Sequence, residues 1–211
     1  MPVPAPASTV MLLREGGDPF QVLMVERNPR GMFGSIFVFP GGRVEREDVP
    51  EGLDLGDDDS HRFAAIRELA EETGILLTIA GAVTPAVATG EKPATGSLEL
   101  VSRWVTPEFA PSRYDTRFYL ATCDDEPDVL IDETELVGHL WLTPGEALGR
   151  HERGQAPMVL PTVAHLRWLA RRTSIEDAFE SARGADGRTL IRPTRVDDGS
   201  IIPIHLPAEP K

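Results

Sequence analysis

The order of apolar segments predicts an α/β (α+β) fold built on one core. Strand-like runs come first, a single helix follows, more strands come next, and helices dominate from Pro144 onward. A chain of 211 residues that is 41% hydrophobic and 26% charged has the composition of a globular protein and the length for one good-sized domain. No stretch approaches the roughly 20 apolar residues of a membrane span, so none is expected.

"STVMLLREG" and "PFQVLMVERN" are two strand-like runs joined by the turn "EGGDP", and "SIFVFPGG" is a third, stopped by a proline and two glycines. The acidic stretch "RVEREDVPEGLDLGDDDS" has no apolar periodicity and is expected to be a surface loop. A helix is predicted over 60–73. Ser60 is placed to cap it, Asp57, Asp58 and Asp59 lie where the helix dipole favours negative charge, and Gly74 can close it in a left-handed conformation. Further strands are expected in "GILLTIAGAV", "SLELVSRWV", "TRFYLATC" and "LVGHLWLT". "PGEALGRH", "PTVAHLRWLARR" and "IEDAFESAR" then read as helices, and "TLIRPTRV" and "SIIPIHLP" as two strands around the turn "DDG". Residues 1–211 are taken as one domain, with 144–190 a helical C-terminal extension of it.

The net charge is -13, and Lys92 and Lys211 are the only lysines. A nucleic-acid groove would need a basic patch, so no nucleic-acid partner is expected. An acidic protein that handles phosphates needs divalent metal to reconcile the charges. Cys123 is the single cysteine and reads as a buried thiol at a strand end; no internal disulfide can form. The N-terminus lacks the basic start and apolar core of a secretory signal, and "PAEPK" matches no peroxisomal or retention signal, so the cytoplasm is the expected compartment. The histidines, His139 among them, lack zinc-ligand spacing. Phe37 and Phe39 are expected to pack in the core.

"RELAEETGI" places Glu68, Glu71 and Glu72 at i, i+3 and i+4. On a helix they share one side, roughly opposite Phe63, Ile66, Ala70 and Leu69, and so are expected to point outward. Arg67 has Glu71 as its i+4 partner and can orient it. Like charges at this spacing repel, and a hard divalent cation removes the repulsion by taking carboxylate oxygens as ligands. A solvated acidic helix face is the alternative.

With "FPGG" upstream, "AAIRELAEETGI" resembles the signature of the Nudix hydrolase family, G-x5-E-x7-R-E-U-x-E-E-x-G-U with U aliphatic. Arg67, Glu68, Leu69, Glu71, Glu72, Gly74 and Ile75 match its second half. The first half departs from it: twenty-four residues separate Gly42 from Arg67 where the family has thirteen. Counting forward places Asp48 at the motif's first acidic position, and counting back places Asp59 there.

The resemblance implies a mixed-sheet α/β/α sandwich and hydrolysis of a small-molecule diphosphate with Mg2+ or Mn2+. It implies Glu68, Glu71, Glu72 and the Gly41 carbonyl as metal ligands, Glu68 also as general base, and Arg67 as the residue that holds the glutamates. Glu135 or Glu133 would add an acid from outside the motif. The insertion and the segment 103–121 resemble the Nudix branch containing the peroxisomal coenzyme A diphosphatases. A coenzyme A motif is partly met by Arg27, Arg30 and Gly34 ahead of FPGG, with Arg27, Arg30 and Gly42 as substrate-binding candidates. Coenzyme A or acyl-coenzyme A is therefore the leading substrate. Another Nudix pyrophosphatase acting on NADH, ADP-ribose or another nucleotide is one alternative, and a non-catalytic Nudix-fold binding module is another. Val163, Leu166 and Leu169 form an apolar helix face, with Trp168 off to one side, that packs in the core or makes a homodimer contact.

Overall fold

Strand β1 (Ala5–Arg14) alternates its side chains between two apolar layers. Val10 and Leu12 face one cluster, Met11 and Leu13 the other, and all four are fully buried. A strand covered on both faces reads as a continuous apolar run, which "VMLL" is. The computed structural model describes residues 3–28, 35–78, 81–83, 93–123, 127–131, 134–184, 187, 190–195 and 201–202. Within them lie β2 (Gln21–Arg27), β3 (Ile36–Val38), β4 (Gly41–Arg43), α1 (Asp58–Thr73), β5 (Leu76–Thr78), β6 (Gly81–Val83), β7 (Glu99–Val105), β8 (Tyr114–Thr122) and β9 (Leu136–Leu142). They are followed by α2 (Pro144–Glu152), α3 (Leu160–Leu169), α4 (Ile175–Gly184), β10 (Leu190–Ile191), β11 (Thr194–Arg195) and β12 (Ile201–Ile202).

The main sheet runs β10-β7-β8-β1-β2-β3, with β4 on β1 and β9 on β2. It is mixed: β1 pairs with β8 and β10 with β7 in parallel, and the other pairs are antiparallel. The two ends of β1 take different partners, β4 at Ala7–Thr9 and β2 at Leu13–Arg14. That divergence sets β4 beside α1, which covers one face through Ala65, Ile66 and Leu69. The opposite face is covered by α2, α3 and α4, whose Ala147, Leu166, Leu169 and Ala178 join Met11, Val22, Met24 and Phe118. The α/β/α layering and the helical C-terminal part are as expected.

Several elements depart from the sequence reading. "GILLTIAGAV" is a hairpin of β5 and β6 rather than one strand. Helix α1 starts two residues earlier than expected, at Asp58, and Ser60 lies inside it, donating its hydroxyl to the Asp54 carbonyl (2.8 Å) instead of capping. Gly74 does end the helix, at φ 70°, with Ile75 fully buried behind it. The acidic loop is not all surface, since a short 3-10 turn at Arg46–Asp48 buries Asp48 and Val44 is buried before it. Trp168 is in the core beside Leu166 and Leu169 rather than to one side, because α3 is covered by α2 and the sheet around most of its circumference. Phe37, Phe39 and Cys123 are buried, as anticipated. The "DDG" turn, Arg30, Gly34 and Glu133 fall outside the described residues. Among those described, no helix is long and apolar enough to cross a membrane.

Candidate active site

Pairing of β4 with β1 aligns Thr9 with Gly41 and Ser8 with Gly42, at the strand edge nearest α1. Both glycines are required by what surrounds them. At Gly41 (φ 155°) a Cβ would sit 2.3 Å from the Ser8 carbonyl, and at Gly42 it would sit 2.3 Å from the Glu68 carboxylate. Any side chain at Gly42 would therefore push Glu68 out of its seat.

Buried polar ties fix the helix over this edge. His61 Nδ1 lies 3.0 Å from the Ala7 carbonyl and 2.9 Å from Ser8 Oγ, and burial with Arg117 nearby lowers its pKa to about 4, so it is a neutral strut. Asp58 accepts from the Tyr119 hydroxyl (3.0 Å), Arg117 (3.0 Å) and Arg62 (2.6 Å). Asp58 thus anchors the helix start to β8 as well as complementing the dipole.

So mounted, Glu68 and Glu72 turn in against the sheet edge, and of the three glutamates Glu71 alone faces solvent as expected. Their side-chain exposures are 6% for Glu72, 15% for Glu68 and 57% for Glu71. The helix projection correctly put them on a common side, but that side packs on β4, while Phe63 and Ala70 on the other are only half-buried. Small residues explain this: Ala64, Ala65 and the two glycines allow the helix close to the sheet on its acidic flank.

Glu72 accepts from the Gly41 amide (2.9 Å) and from Arg27 Nη2 (2.6 Å), and Arg27 Nη2 also donates to the Gly41 carbonyl (3.2 Å). Burial lifts the Glu72 pKa above the usual range, against the opposing pull of Arg27 and the Gly41 amide. Glu68 is pushed up to about 7, mainly by burial and further by Glu72 and Glu71, with Arg67 opposing. Arg67 is the organiser of the cluster. It grips Asp48 with two bonds (2.8 and 2.9 Å), donates to Glu71 (2.7 Å) and to the Arg43 carbonyl (2.9 Å), and lies 3.1 Å from Glu68. Those contacts hold its pKa well above the usual arginine value.

Of the two aspartates that counting offers for the motif's first acidic position, Asp48 is the one in contact with Arg67. Asp48 is buried against Arg67, whereas Asp59 is exposed on the first turn of α1. Asp48→Asn is expected to cost about 1–3 kcal/mol of stability, because it removes the charge of a buried carboxylate that holds the half-buried Arg67 guanidinium by two bonds. Asp59→Asn is expected to stay within about 0.5 kcal/mol. Urea unfolding of the two variants measures the difference, and equal midpoints would remove Asp48 from this position.

These groups line a cleft of about 740 Å³. Glu45, Glu68, Glu71, Glu72 and Glu135 contribute five carboxylates against the guanidiniums of Arg27, Arg43 and Arg67. Glu135 stands at its rim, exposed, 3.8 Å from Arg27. Among the described residues no three His, Cys, Asp or Glu side chains converge as a ready metal-ligating group. The carboxylates are instead paired with arginines, Glu72 with Arg27 and the other two with Arg67. The donor set nevertheless suits Mg2+ or Mn2+: it is all oxygen and carries excess negative charge. Sequence reading missed Thr9, Arg43, Tyr114 and Thr116, which also line the cleft. No local motif marks them, since the parallel β1–β8 pairing, Ala5 with Tyr114 and Thr9 with Phe118, brings them together.

Several known proteins resemble this chain in sequence and fold. The NUDIX domain family pattern matches residues 3–160. Putative nudix hydrolase 7 of Caenorhabditis elegans is 31% identical over 171 residues, which cover 72% of this chain and 56% of that protein. Acyl-coenzyme A diphosphatase NUDT19 of Gallus gallus is 25% identical over 254 residues, covering 82% of this chain and 67% of the relative. The chain thus spans a little over half to two-thirds of the length of these relatives. Among solved structures, a NUDIX hydrolase from Alicyclobacillus acidocaldarius superposes with a TM-score of 0.74 at 27% identity, over 85% of this chain and 97% of that one. A MutT NUDIX hydrolase from Burkholderia pseudomallei shares the fold, with a TM-score of 0.52 at 17% identity over 79% of this chain and 98% of that one.

Proposed function

We propose that this chain, which belongs to the Nudix family, hydrolyses a diphosphate joining a nucleoside to a second moiety, with coenzyme A or acyl-coenzyme A as the leading substrate. The observation that carries the reading is Glu68, a carboxylate seated against Gly42 and beside Glu71 and Glu72 in an acidic cleft. A carboxylate positioned there can take the proton of a water molecule. Glu68, Glu71, Glu72 and the Gly41 carbonyl would hold Mg2+ or Mn2+, with Glu135 within reach at the rim. Bound there, the ion supplies neutralisation of phosphate oxygens and acidification of water.

The chain's own residues do the rest. Glu68 accepts the proton of the attacking water. Arg67 fixes Glu68 and Glu71 relative to each other by anchoring both to Asp48. Arg27, between Glu72 and the Gly41 carbonyl, keeps β4 and α1 in register and would offer its guanidinium to a phosphate oxygen in the cleft. Arg30 is assigned to substrate on the motif resemblance alone.

Coenzyme A is favoured by the likeness to acyl-coenzyme A diphosphatase NUDT19 from two organisms, at 25% and 26% identity. A panel of coenzyme A, acyl-coenzyme A, NADH and ADP-ribose, each with Mg2+ and scored by product, tests the proposal. Release of 4'-phosphopantetheine or its acyl form is expected. Cleavage of NADH or ADP-ribose alone would replace the substrate, and no cleavage of any diphosphate would leave a binding module.

A further inference from the structure

Beside the carboxylate cleft lies a second cavity of about 540 Å³, within the roughly 300–1,000 Å³ of small-molecule sites. The two share a wall made of Thr9, Arg27, Gly41, Tyr114 and Thr116, so a molecule whose diphosphate lies in the first can reach directly into the second. Their chemistry differs sharply. Ile36, Val38, Val105 and Leu160 give the second cavity aliphatic sides, and Phe39, Trp104 and Phe118 give it an aromatic floor. Among the described residues, Arg27, at the shared wall, is its one charged lining residue.

Polar groups behind the floor are already committed to one another. Trp104 Nε1 donates to Ser102 Oγ (3.0 Å), and Ser102 Oγ lies 2.7 Å from His165 Nε2. His165 Nδ1 lies 2.7 Å from the Pro161 carbonyl, which only accepts, so Nδ1 carries the hydrogen and Nε2 accepts from Ser102. The imidazole stacks on Phe118, with centroids 4.2 Å apart. A nucleobase laid on this floor would find Trp104, Ser102 and His165 paired with one another, and any ring nitrogen or amino group that did not reach Arg27, Tyr114 or a threonine hydroxyl of the lining would be an unpaired buried polar group. A hydrocarbon chain has no such demand. The mouth agrees, since Phe109 and Val159 on its two lips are large apolar residues left 51% and 44% exposed.

We propose that this cavity seats the uncharged, hydrocarbon-rich arm carried by the diphosphate, and that the nucleoside end stays on the polar side of the shared wall. The proposal rests on reading the carboxylate cleft as the diphosphate site and names the end of the substrate that enters the cavity. For coenzyme A, that end is the pantetheine arm with any acyl group it bears; the hydroxyl and two amides of the arm would meet Thr9, Thr116 and Arg27 at the shared wall, and the acyl chain the aliphatic sides beyond. Acylated substrates are then selected over the free thiol, until the chain outgrows the cavity.

S-acyl-pantetheines, which lack diphosphate and nucleotide, isolate this site. Tested as competitors of whichever diphosphate the enzyme turns over, octanoyl-pantetheine is expected to inhibit roughly tenfold more tightly than pantetheine, because buried methylenes each add to binding. Ala110→Trp fills the cavity from a half-exposed loop position, and Val159→Trp does so from the opposite lip. Either variant should erase most of the chain-length gain while changing inhibition by adenosine 3',5'-bisphosphate less than about twofold. Titration followed by tryptophan fluorescence reads the same order without turnover, so the test survives failure of the hydrolase reading. Inhibition that ignores chain length would overturn the proposal. So would a tryptophan variant that weakens the nucleotide and spares the acyl-pantetheine, since the base would then occupy the cavity.

Discussion

Glu68→Gln is expected to lower kcat by roughly 10²–10⁴, the usual contribution of a positioned general base, and at the same time to stabilise the metal-free protein at pH 8. Both effects have one cause. The Glu68 carboxyl has its pKa raised from 4.5 to about 7 by burial against β4 and by Glu72 and Glu71. The folded chain therefore holds this proton more tightly than the unfolded chain does. Its contribution to stability is fully present below about 4.5 and is lost as pH rises through about 7. Glutamine is uncharged throughout and escapes that loss, which at about 1.4 kcal/mol per unit amounts to at most about 3 kcal/mol at pH 8. Denaturant unfolding at pH 5 and pH 8, with chelator and then with Mg2+, measures it. The gap between wild type and variant should open at pH 8 in chelator and narrow when Mg2+ is added. Unchanged turnover would remove Glu68 as the base, and a gap that ignores pH would mean its charge is not held at a cost.

How much of this was legible in the sequence depended on how local the cause is. Arg67, Glu68, Glu71, Glu72 and Gly74 lie on one continuous helix, so spacing alone placed them on one side of it and at its end. Which way that side faces is a tertiary matter. It turns on Gly41 and Gly42 in β4, where the absence of Cβ atoms lets the carboxylates sink against the sheet. The displaced acid was undecidable by counting because the inserted loop breaks the register; only the fold returns Asp48 to Arg67. The apolar cavity had no signature at all. Its walls come from β3, β7, β8 and α3, segments whose apolar residues read individually as ordinary core. The single α/β core, by contrast, followed from the order of the apolar runs and the sandwich layering from the family resemblance, and the runs "VMLL" and "VLMV" are buried throughout.

Glu72→Ala is expected to cost about 2–4 kcal/mol of stability, and Glu71→Ala no more than about 0.5 kcal/mol, although the two are neighbours in the same motif. Glu72 is the only acceptor drawn for the Gly41 amide among the described contacts, and it pairs with an Arg27 whose Nε is already buried without a partner. Truncation strands the Gly41 amide and takes from Arg27 its nearest charged acceptor, leaving it the Gly41 carbonyl, at the junction of β2, β4 and α1. Glu71 is more than half exposed, and its bond to Arg67 is an i,i+4 surface pair. In the metal-ligand reading both variants nevertheless lose activity and bind Mn2+ more weakly. Thermal unfolding in chelator and Mn2+ titration together therefore separate two jobs that sequence cannot tell apart. Loss of Mn2+ affinity in both, with loss of stability in Glu72→Ala alone, is the pattern expected of one carboxylate that serves both the fold and the ion beside another that serves the ion only. A Glu72→Ala protein as stable as wild type would mean that the Arg27–Glu72–Gly41 tie does not hold β4 against the helix. An active Glu71→Ala protein with unchanged Mn2+ affinity would confine Glu71 to the solvated face it could have occupied from the start.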